Sequence, residues 1–414
     1  MIKRINKTLL FAAILSMCFC AEKTKVAKLN PIEELGKKLF FDTNLSEPPG
    51  QSCAACHDPK VGWTGPNAAL NEGGAVYQGA VAARFGNRKP PSSGYAGECP
   101  VLDQDEKGDF IGGMFWDGRA TGKTLGDPLA EQAMGPFLNP LEQNNPDEKA
   151  VVMKVKNSNY FSLFEEVFPE AKSMDWEKDA GKIYVFIARA IAAFERSAEV
   201  NLYSSKFDAF WGKAKSKGLK VEEIKEKNLK DYAALGMDDN ELKGLMLFNT
   251  KARCANCHTF KSADDKPPLF TDFSYDNLGT PKNPKNPFYS MPAEWNPEGK
   301  SWIDKGLGGF LETAKPELAR ANYGKHKVPT LRNVDLKPQE GLIKAYFHNG
   351  FFKSLKDIVH FYNTRDLKEA GWPAPEVEEN VNRTELGNLG LTDDDEQAIV
   401  AFLKTLSDGF MTRK

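Results

Sequence analysis

Histidine is scarce in this chain: there are five among 414 residues. A surplus of one charge is missing too, with 55 basic residues against 57 acidic and a formal net charge of −2. No basic field is available to hold nucleic acid, so that class of partner is excluded. Past the first twenty residues no hydrophobic run is long, which excludes a multi-span membrane protein. A balance of 27% charged and 41% hydrophobic residues excludes low-complexity disorder and collagen. Strand-like alternation is sparse as well. What remains is a helical globular chain, too long for one ordinary domain and comfortable for two or three.

The first twenty residues stand apart. Lys3, Arg4 and Lys7 precede an apolar run over 9–19, too short to cross ~30 Å of hydrocarbon as an anchor. An export signal over 1–20 is expected, with cleavage after Cys20 placing Cys18 and Cys20 at −3 and −1. The alternative is a loose lipoprotein signal at Leu15-Ser16-Met17-Cys18, the one route to a membrane. Removal takes three basic residues and no acid, moving the formal charge from −2 to −5. It leaves Cys53, Cys56, Cys99, Cys254 and Cys257, an odd set in a long chain, unlike a secreted disulfide scaffold.

Four of those five cysteines lie in two copies of one pattern, Cys53-Ala54-Ala55-Cys56-His57 and Cys254-Ala255-Asn256-Cys257-His258. In C-x-x-C-H the two thiols meet the vinyl groups of a porphyrin, and the following His supplies the proximal iron ligand. A thioredoxin-like dithiol needs no such His and belongs near a βαβ pattern, absent here. A zinc site would pair the two motifs, yet they lie 201 residues apart in separate helical units. Two covalently bound c-type haems are therefore expected, with Cys99 left as a buried, inert thiol.

The two halves repeat each other in order. Gly36-Lys37-Lys38-Leu39-Phe40 answers Gly244-Leu245-Met246-Leu247-Phe248. Lys89-Pro90-Pro91-Ser92 answers Lys327-Val328-Pro329-Thr330, and Phe115-Trp116-Asp117-Gly118 answers Phe347-His348-Asn349-Gly350. Each half closes on A-I-x-A-F, at 190–194 and 398–402. The expected fold is all-α, two tandem cytochrome c-like haem domains with long irregular loops, over 21–200 and 201–414. Helical spacing marks 178–200 and 393–407, and capping boxes at Thr392-x-x-Asp395 and Asp238-x-x-Glu241 open helices. The Lys/Glu-rich stretch 204–232 reads as a solvated helical connector, and 261–323 as a long irregular excursion.

Two of the five histidines are proximal ligands. The other three, His326, His348 and His360, all fall in the second half. The first haem therefore has no distal His of its own, and Met114, Met134, Met153 and Met174 read more simply as core filling. Unless the second half lends a His, the first iron stays open. An open iron binds small molecules, whereas a closed one mainly moves electrons, so catalysis is expected at the first haem.

Residues 30–410 resemble the bacterial dihaem cytochrome c peroxidases, including the MauG-type enzymes. The motifs that carry this are Phe115-Trp116-Asp117-Gly118-Arg119-Ala120, then Gln132-Ala133-Met134-Gly135-Pro136, then Asn139-Pro140-Leu141-Glu142. The resemblance implies that Trp116 relays electrons between the haems while Gln132 and Glu142 project into the peroxide pocket. A carboxylate tuned by burial suits the proton transfer that peroxide cleavage requires, and Gln132 can orient peroxide without titrating. An insertion is expected within 122–128.

A second signature runs through Pro329-Thr330-Leu331-Arg332-Asn333, Tyr346-Phe347-His348-Asn349-Gly350 and Phe361-Tyr362-Asn363. Electron-accepting peroxidases place a haem-ligating Met where this chain has Tyr362, as MauG-type members do. Tyr362 is then the sixth ligand of the second haem, lowering its potential, with Met291 or His360 as alternatives.

Three departures matter. Residues 58–90 contain no His, so reductive activation by release of a distal ligand is not expected. The family's inter-domain calcium uses an Asn where this chain has Lys89, with Asn87 nearby, so an ammonium in place of the ion stays open beside calcium. Lys251-Ala252-Arg253 offers no aromatic before the second motif, so a tryptophylquinone-maturing role is not supported.

The expected function is a periplasmic MauG-like peroxidase, with hydrogen peroxide reacting at the His57 haem and oxidising equivalents shared with a His258/Tyr362 haem. They are quenched by an external reductant or a protein substrate. The alternatives are a conventional peroxidase fed by a small cytochrome c or cupredoxin, and a non-catalytic electron-transfer cytochrome.

Overall fold

The computed structural model describes residues 28–262 and 265–411. The expected export signal over 1–20 lies outside them. The first half is built from α1 (Pro31–Phe41), α2 (Ala68–Glu72), α3 (Pro128–Leu138), α4 (Glu148–Lys156), α5 (Phe161–Val167) and α6 (Ala180–Arg196). The second is built from α7 (Lys206–Ser216), α8 (Asp239–Asn249), α9 (Gly306–Ala314), α10 (Pro316–Ala319), α11 (Leu355–Thr364) and α12 (Asp393–Lys404). Two minimal antiparallel two-stranded sheets complete the described residues: β1 (Asp103–Gln104) with β2 (Phe110–Ile111), and β3 (Tyr275–Asp276) with β4 (His326–Lys327), the second pair brought together across α9 and α10. No helix among the described residues is long and apolar enough to cross a membrane.

Both expected capping boxes form. Thr392 and Asp395 cap α12 reciprocally, and Asp238 and Glu241 do the same for α8. Each closes orphan backbone donors that would otherwise cost about 1 kcal/mol. Apolar residues at helical spacing then bury two separate clusters. One holds α1, α3, α4 and α6 around Phe40, Trp63, Ile187 and Phe194; the other holds α7, α8 and α12 around Phe207, Phe248, Phe270 and Phe402.

The two clusters share one internal plan. Helix α1 crosses α6 at Gly36, where a Cβ would lie 1.9 Å from the Ala190 carbonyl oxygen; α8 crosses α12 at Gly244, where a Cβ would lie 1.9 Å from that of Ala398. Three rings lock each crossing. Phe40, Trp63 and Phe194 have centroids 5.5–5.8 Å apart, and Phe248, Phe270 and Phe402 have centroids 5.1–6.0 Å apart. The obstructing atoms are backbone and cannot rotate away. Gly244→Ala is therefore expected to destabilise by about 3 kcal/mol or more, the upper end for overpacking. Gly212→Ala on α7, with nothing within 4 Å of the new methyl, is expected to stabilise by up to about 1 kcal/mol. Denaturant midpoints of the two variants check the contrast.

Two sequence expectations need correction. The 204–232 stretch is helical at α7, but it is no solvated connector, since Phe207, Phe210, Ala214, Val221, Ile224 and Tyr232 are all buried in the second cluster. Its Lys and Glu residues alternate with apolar ones that the charge count masks. The 261–323 excursion is irregular at first but ends in α9 and α10. Gly308 and Gly309 made α9 look like loop. Gly308 is small because the Tyr323 ring and backbone pack against it, 2.5 Å from where a Cβ would be.

Candidate functional site

Each C-x-x-C-H motif starts on a single 3₁₀ turn, Cys53–Ala55 and Cys254–Asn256. The backbone N–H of His57 donates to the Cys53 carbonyl (3.0 Å) and that of His258 to the Cys254 carbonyl (2.9 Å). Each imidazole then faces a main-chain carbonyl through Nδ1: His57 to Trp63 at 3.1 Å, His258 to Phe270 at 2.8 Å. Trp63 and Phe270 both hold positive φ, 61° and 55°, which turns the ring into the core and the carbonyl toward the histidine. A carbonyl only accepts, so Nδ1 carries the proton and Nε2 presents its lone pair. Burial lowers both imidazoles, His57 to about 4, so both stay neutral as an iron ligand must. The carbonyls of Pro91 and Pro329, paired positions in the repeat, also face these rings.

Burial pushes the thiols of Cys53, Cys56 and Cys254 up to about 12, and that of Cys257 up as well.

The second motif opens on a cavity of about 240 Å³. Cys254, Cys257 and His258 line it together with Tyr362 of α11, while Met291 and His360 do not. The His360 ring points elsewhere, its Nδ1 held 3.0 Å from Glu396. Burial is the main cause raising the Tyr362 phenol, with Cys254 and Cys257 adding to it, which places its oxygen in the field of the thiols.

Two buried ammonium groups line the same cavity. Lys89 Nζ donates to Thr64 Oγ1 (3.0 Å) and the Pro90 carbonyl (2.8 Å). Lys344 Nζ donates to the carbonyls of Val61, Asn333 and Leu336. Burial lowers each to about 7, and Lys89 further disfavours charge on Lys344. An apolar cavity with two thiols, an imidazole lone pair and paired ammonium groups fits a porphyrin carrying two carboxylates.

Near the first motif, α3 and the turn after it carry Gln132 and Glu142. Glu142 accepts from Asn139 Nδ2 at 2.7 Å, and its charge acts on the Cys56 thiol. Desolvation raises the Glu142 carboxyl, opposed by Arg119 and by the Asn139 bond. Arg119 lies over the Phe115 ring at 3.7 Å and pairs with Asp117 at 2.9 Å. Gln132 is half-buried on α3 and makes no hydrogen bond to Glu142.

Trp116 is buried and lines the 240 Å³ cavity. Its Nε1 donates to the Lys89 carbonyl (2.8 Å), and its own carbonyl accepts from Lys327 N (2.9 Å). His348 occupies the matching place in the second half. Phe115 and Phe347 have φ of 65° and 64°, Gly118 and Gly350 are both positive, and bridges Met114–Ala120 and Tyr346–Phe352 close the two loops alike.

Lys344 and Glu195 both escaped the sequence reading. Glu195 on α6 is buried, one carboxyl oxygen has no partner, and burial pushes it up to about 8 beside Cys53. The signal was available in the repeat, where Leu403 follows Phe402 but Glu195 follows Phe194. Cys99 is buried as expected, donating to the Gly113 carbonyl (3.1 Å) with Lys327 Nζ 3.7 Å away.

Two thioether-ready motifs with iron-ready imidazoles define a c-type protein with two haems. A family model for di-haem cytochrome c peroxidases matches residues 30–216. The chain is 32% identical over 402 residues to methylamine utilization protein MauG of Paracoccus denitrificans (strain Pd 1222), spanning 94% of this chain and 91% of the relative. It is 25% identical to cytochrome-c peroxidase IdrP1 of Denitromonas iodatirespirans, over 90% of this chain and 80% of the relative. The solved diheme peroxidase BthA from Burkholderia thailandensis E264 matches with a TM-score of 0.71 at 29% identity, covering 93% of this chain and 90% of that one. The chain belongs to the di-haem cytochrome c peroxidase and MauG family. It is an oxidoreductase acting on peroxide, and the family implies two c-type haems and a redox partner or protein substrate.

Proposed function

We propose that hydrogen peroxide reacts at the His57 site and that oxidising equivalents pass by Trp116 to a second site held by His258 and Tyr362, in the MauG-like manner. The observation that carries this reading is the asymmetry of the two copies. A desolvated carboxylate, Glu142, faces the first motif, whereas a phenol faces the second across its cavity.

Each haem supplies an iron that binds peroxide where it is open and passes electrons where it is closed. The chain's residues do the rest. Glu142 takes a proton from the bound peroxide oxygen and returns it to the leaving one. Gln132 orients the peroxide. Trp116, fixed through Nε1, bridges the units over 21–200 and 201–414. The Lys89 ammonium, seated on Thr64 and Pro90, serves in place of an inter-domain calcium. The chain works in the periplasm once its first twenty residues are removed. The electrons come from a protein substrate or, in the conventional alternative, from a small cytochrome c or cupredoxin.

EPR and optical spectra of the all-ferric protein test this, before and after stoichiometric peroxide. One high-spin and one low-spin haem, both altered by peroxide, are expected. Two low-spin haems indifferent to peroxide would overturn it. In Trp116→Phe the first haem still responds, while the response of the second slows by at least roughly tenfold, equivalent to about 1.4 kcal/mol on the barrier. Stopped-flow absorbance at the two haems separates these phases.

A further inference from the structure

Between the two halves lies a cluster that the peroxide chemistry does not use. His326 on β4 and His348 on the loop matching that of Trp116 stack face to face, with centroids 3.5 Å apart and planes within 5°. Their side chains are 10% and 5% exposed, and neither Nε2 has a hydrogen-bond partner. Asp304 Oδ1 lies 3.3 Å from His326 Nε2, and Glu376 Oε2 lies 3.7 Å from His348 Nε2. All four residues line the 240 Å³ cavity.

The protonation of His326 is constrained. Its Nδ1 sits 3.0 Å from the Gly324 carbonyl, so Nδ1 carries the proton and the neutral ring turns a lone pair toward Asp304. This is the arrangement that readies His57 and His258 for iron, and orienting partners of this kind are typical of metal-ligating histidines. A lone pair facing a carboxylate oxygen at 3.3 Å is repulsive unless a cation lies between them.

A proton can serve only one of the two His–carboxylate pairs. Protonating both rings would stack two cations at 3.5 Å. A divalent ion, by contrast, satisfies both nitrogens and a carboxylate together. The candidate ligand atoms of Asp304, His326 and His348 already lie within 4.8 Å of one another. A tetrahedral site with bonds of about 2.1 Å needs an edge of about 3.4 Å, so the rings tilt and close inward on loading. Asp304 is held by Arg88 through Nε and Nη2, both at 2.7 Å, and by the Gly306 N–H at 2.9 Å. Those bonds fix its orientation; Arg88 Nη2 and the Gly306 N–H take both in-plane lone pairs of Oδ1, so an ion bound there displaces one of these donors.

The geometry points to a divalent transition-metal site at Asp304, His326 and His348, with Glu376 as a fourth ligand, using none of the residues that would ligate the two haem irons. Two imidazoles select an ion of the zinc, nickel or copper class, whereas calcium takes six to eight oxygens. The site is tied directly to the electron bridge. Arg88 joins Asp304 to Asp117, beside Trp116, and Lys89 N donates to the His348 carbonyl at 2.7 Å.

The test loads the dihaem protein with zinc(II) after dialysis against a chelator, then measures zinc per two irons after desalting. One zinc is expected, undisplaced by excess calcium, with an X-ray absorption shell containing two imidazole nitrogens. In His326→Phe, which keeps a ring against His348, both haems remain and zinc affinity falls by roughly 100-fold or more, beyond the cost of losing a second-shell partner. The site is refuted if the wild-type protein retains no zinc, if calcium displaces it, or if its shell is oxygen only. Equal retention by a haem-replete His326→Phe refutes it as well. A shell lacking imidazole would leave the two nitrogens to a haem carboxylate. Should the variant lose haem, the absorption shell of the wild-type protein decides alone.

Discussion

In Glu142→Gln, kcat/KM for hydrogen peroxide falls by about 10²–10⁴-fold, the usual contribution of one positioned acid–base group. Haem content and stability are expected to stay close to wild type, because the Gln side-chain oxygen can still accept from Asn139 Nδ2. The pH profile separates loss of a proton carrier from loss of shape. Desolvation raises the Glu142 carboxyl, while Arg119 and Asn139 pull it back. Proton acceptance requires the ionised form, so activity rises with pH through a limb placed above that of an ordinary glutamate. The limb disappears in the variant. Arg119→Met removes the opposing charge and moves the limb to still higher pH, while Asp117 keeps Arg88 as partner. A variant at Glu142 with full peroxide reactivity would remove this residue from the acid–base role.

Legibility in the sequence followed the reach of each interaction. The two C-x-x-C-H motifs, the capping boxes and the paired Gly36 and Gly244 were readable because local spacing, or one unavoidable backbone approach, dictates them. The Trp63 and Phe270 carbonyls were not, since the intervals from the histidines differ, six residues against twelve, and only the fold brings the carbonyls to equivalent places. The burial of 204–232 was hidden by composition, as lysines on one face outnumber the phenylalanines on the other. The stacking of His326 on His348 was invisible for a further reason. Counting histidines placed both in the second half but could not say that β4 and the Phe347–Gly350 loop meet. The repeat did contain one unread sign: His348 stands where the first copy has Trp116, so the two residues at the contact between halves differ in kind.

Replacing Tyr362 is expected to change the second haem more than any other single substitution. The phenol lines the cavity with His258, and burial holds its proton far more tightly than in water. Such a phenol gives up its proton only to a strong Lewis acid, so a bound Tyr362 oxygen favours oxidised iron strongly. Tyr362→Phe is therefore expected to abolish the low-spin signal of the second haem and leave the high-spin first haem in place. Tyr362→Met restores a sixth ligand of opposite character and raises the potential by on the order of hundreds of millivolts, within the ~0.8 V that axial ligation spans. Weak reductants that leave the wild-type second haem oxidised should then reduce it, which spectroelectrochemistry reads directly. An unchanged low-spin signal in Tyr362→Phe would move the ligand elsewhere. Neither alternative is well placed to take over: Met291 does not line the cavity, and His360 would have to leave Glu396, 3.0 Å from its Nδ1, and turn from the opposite side of α11.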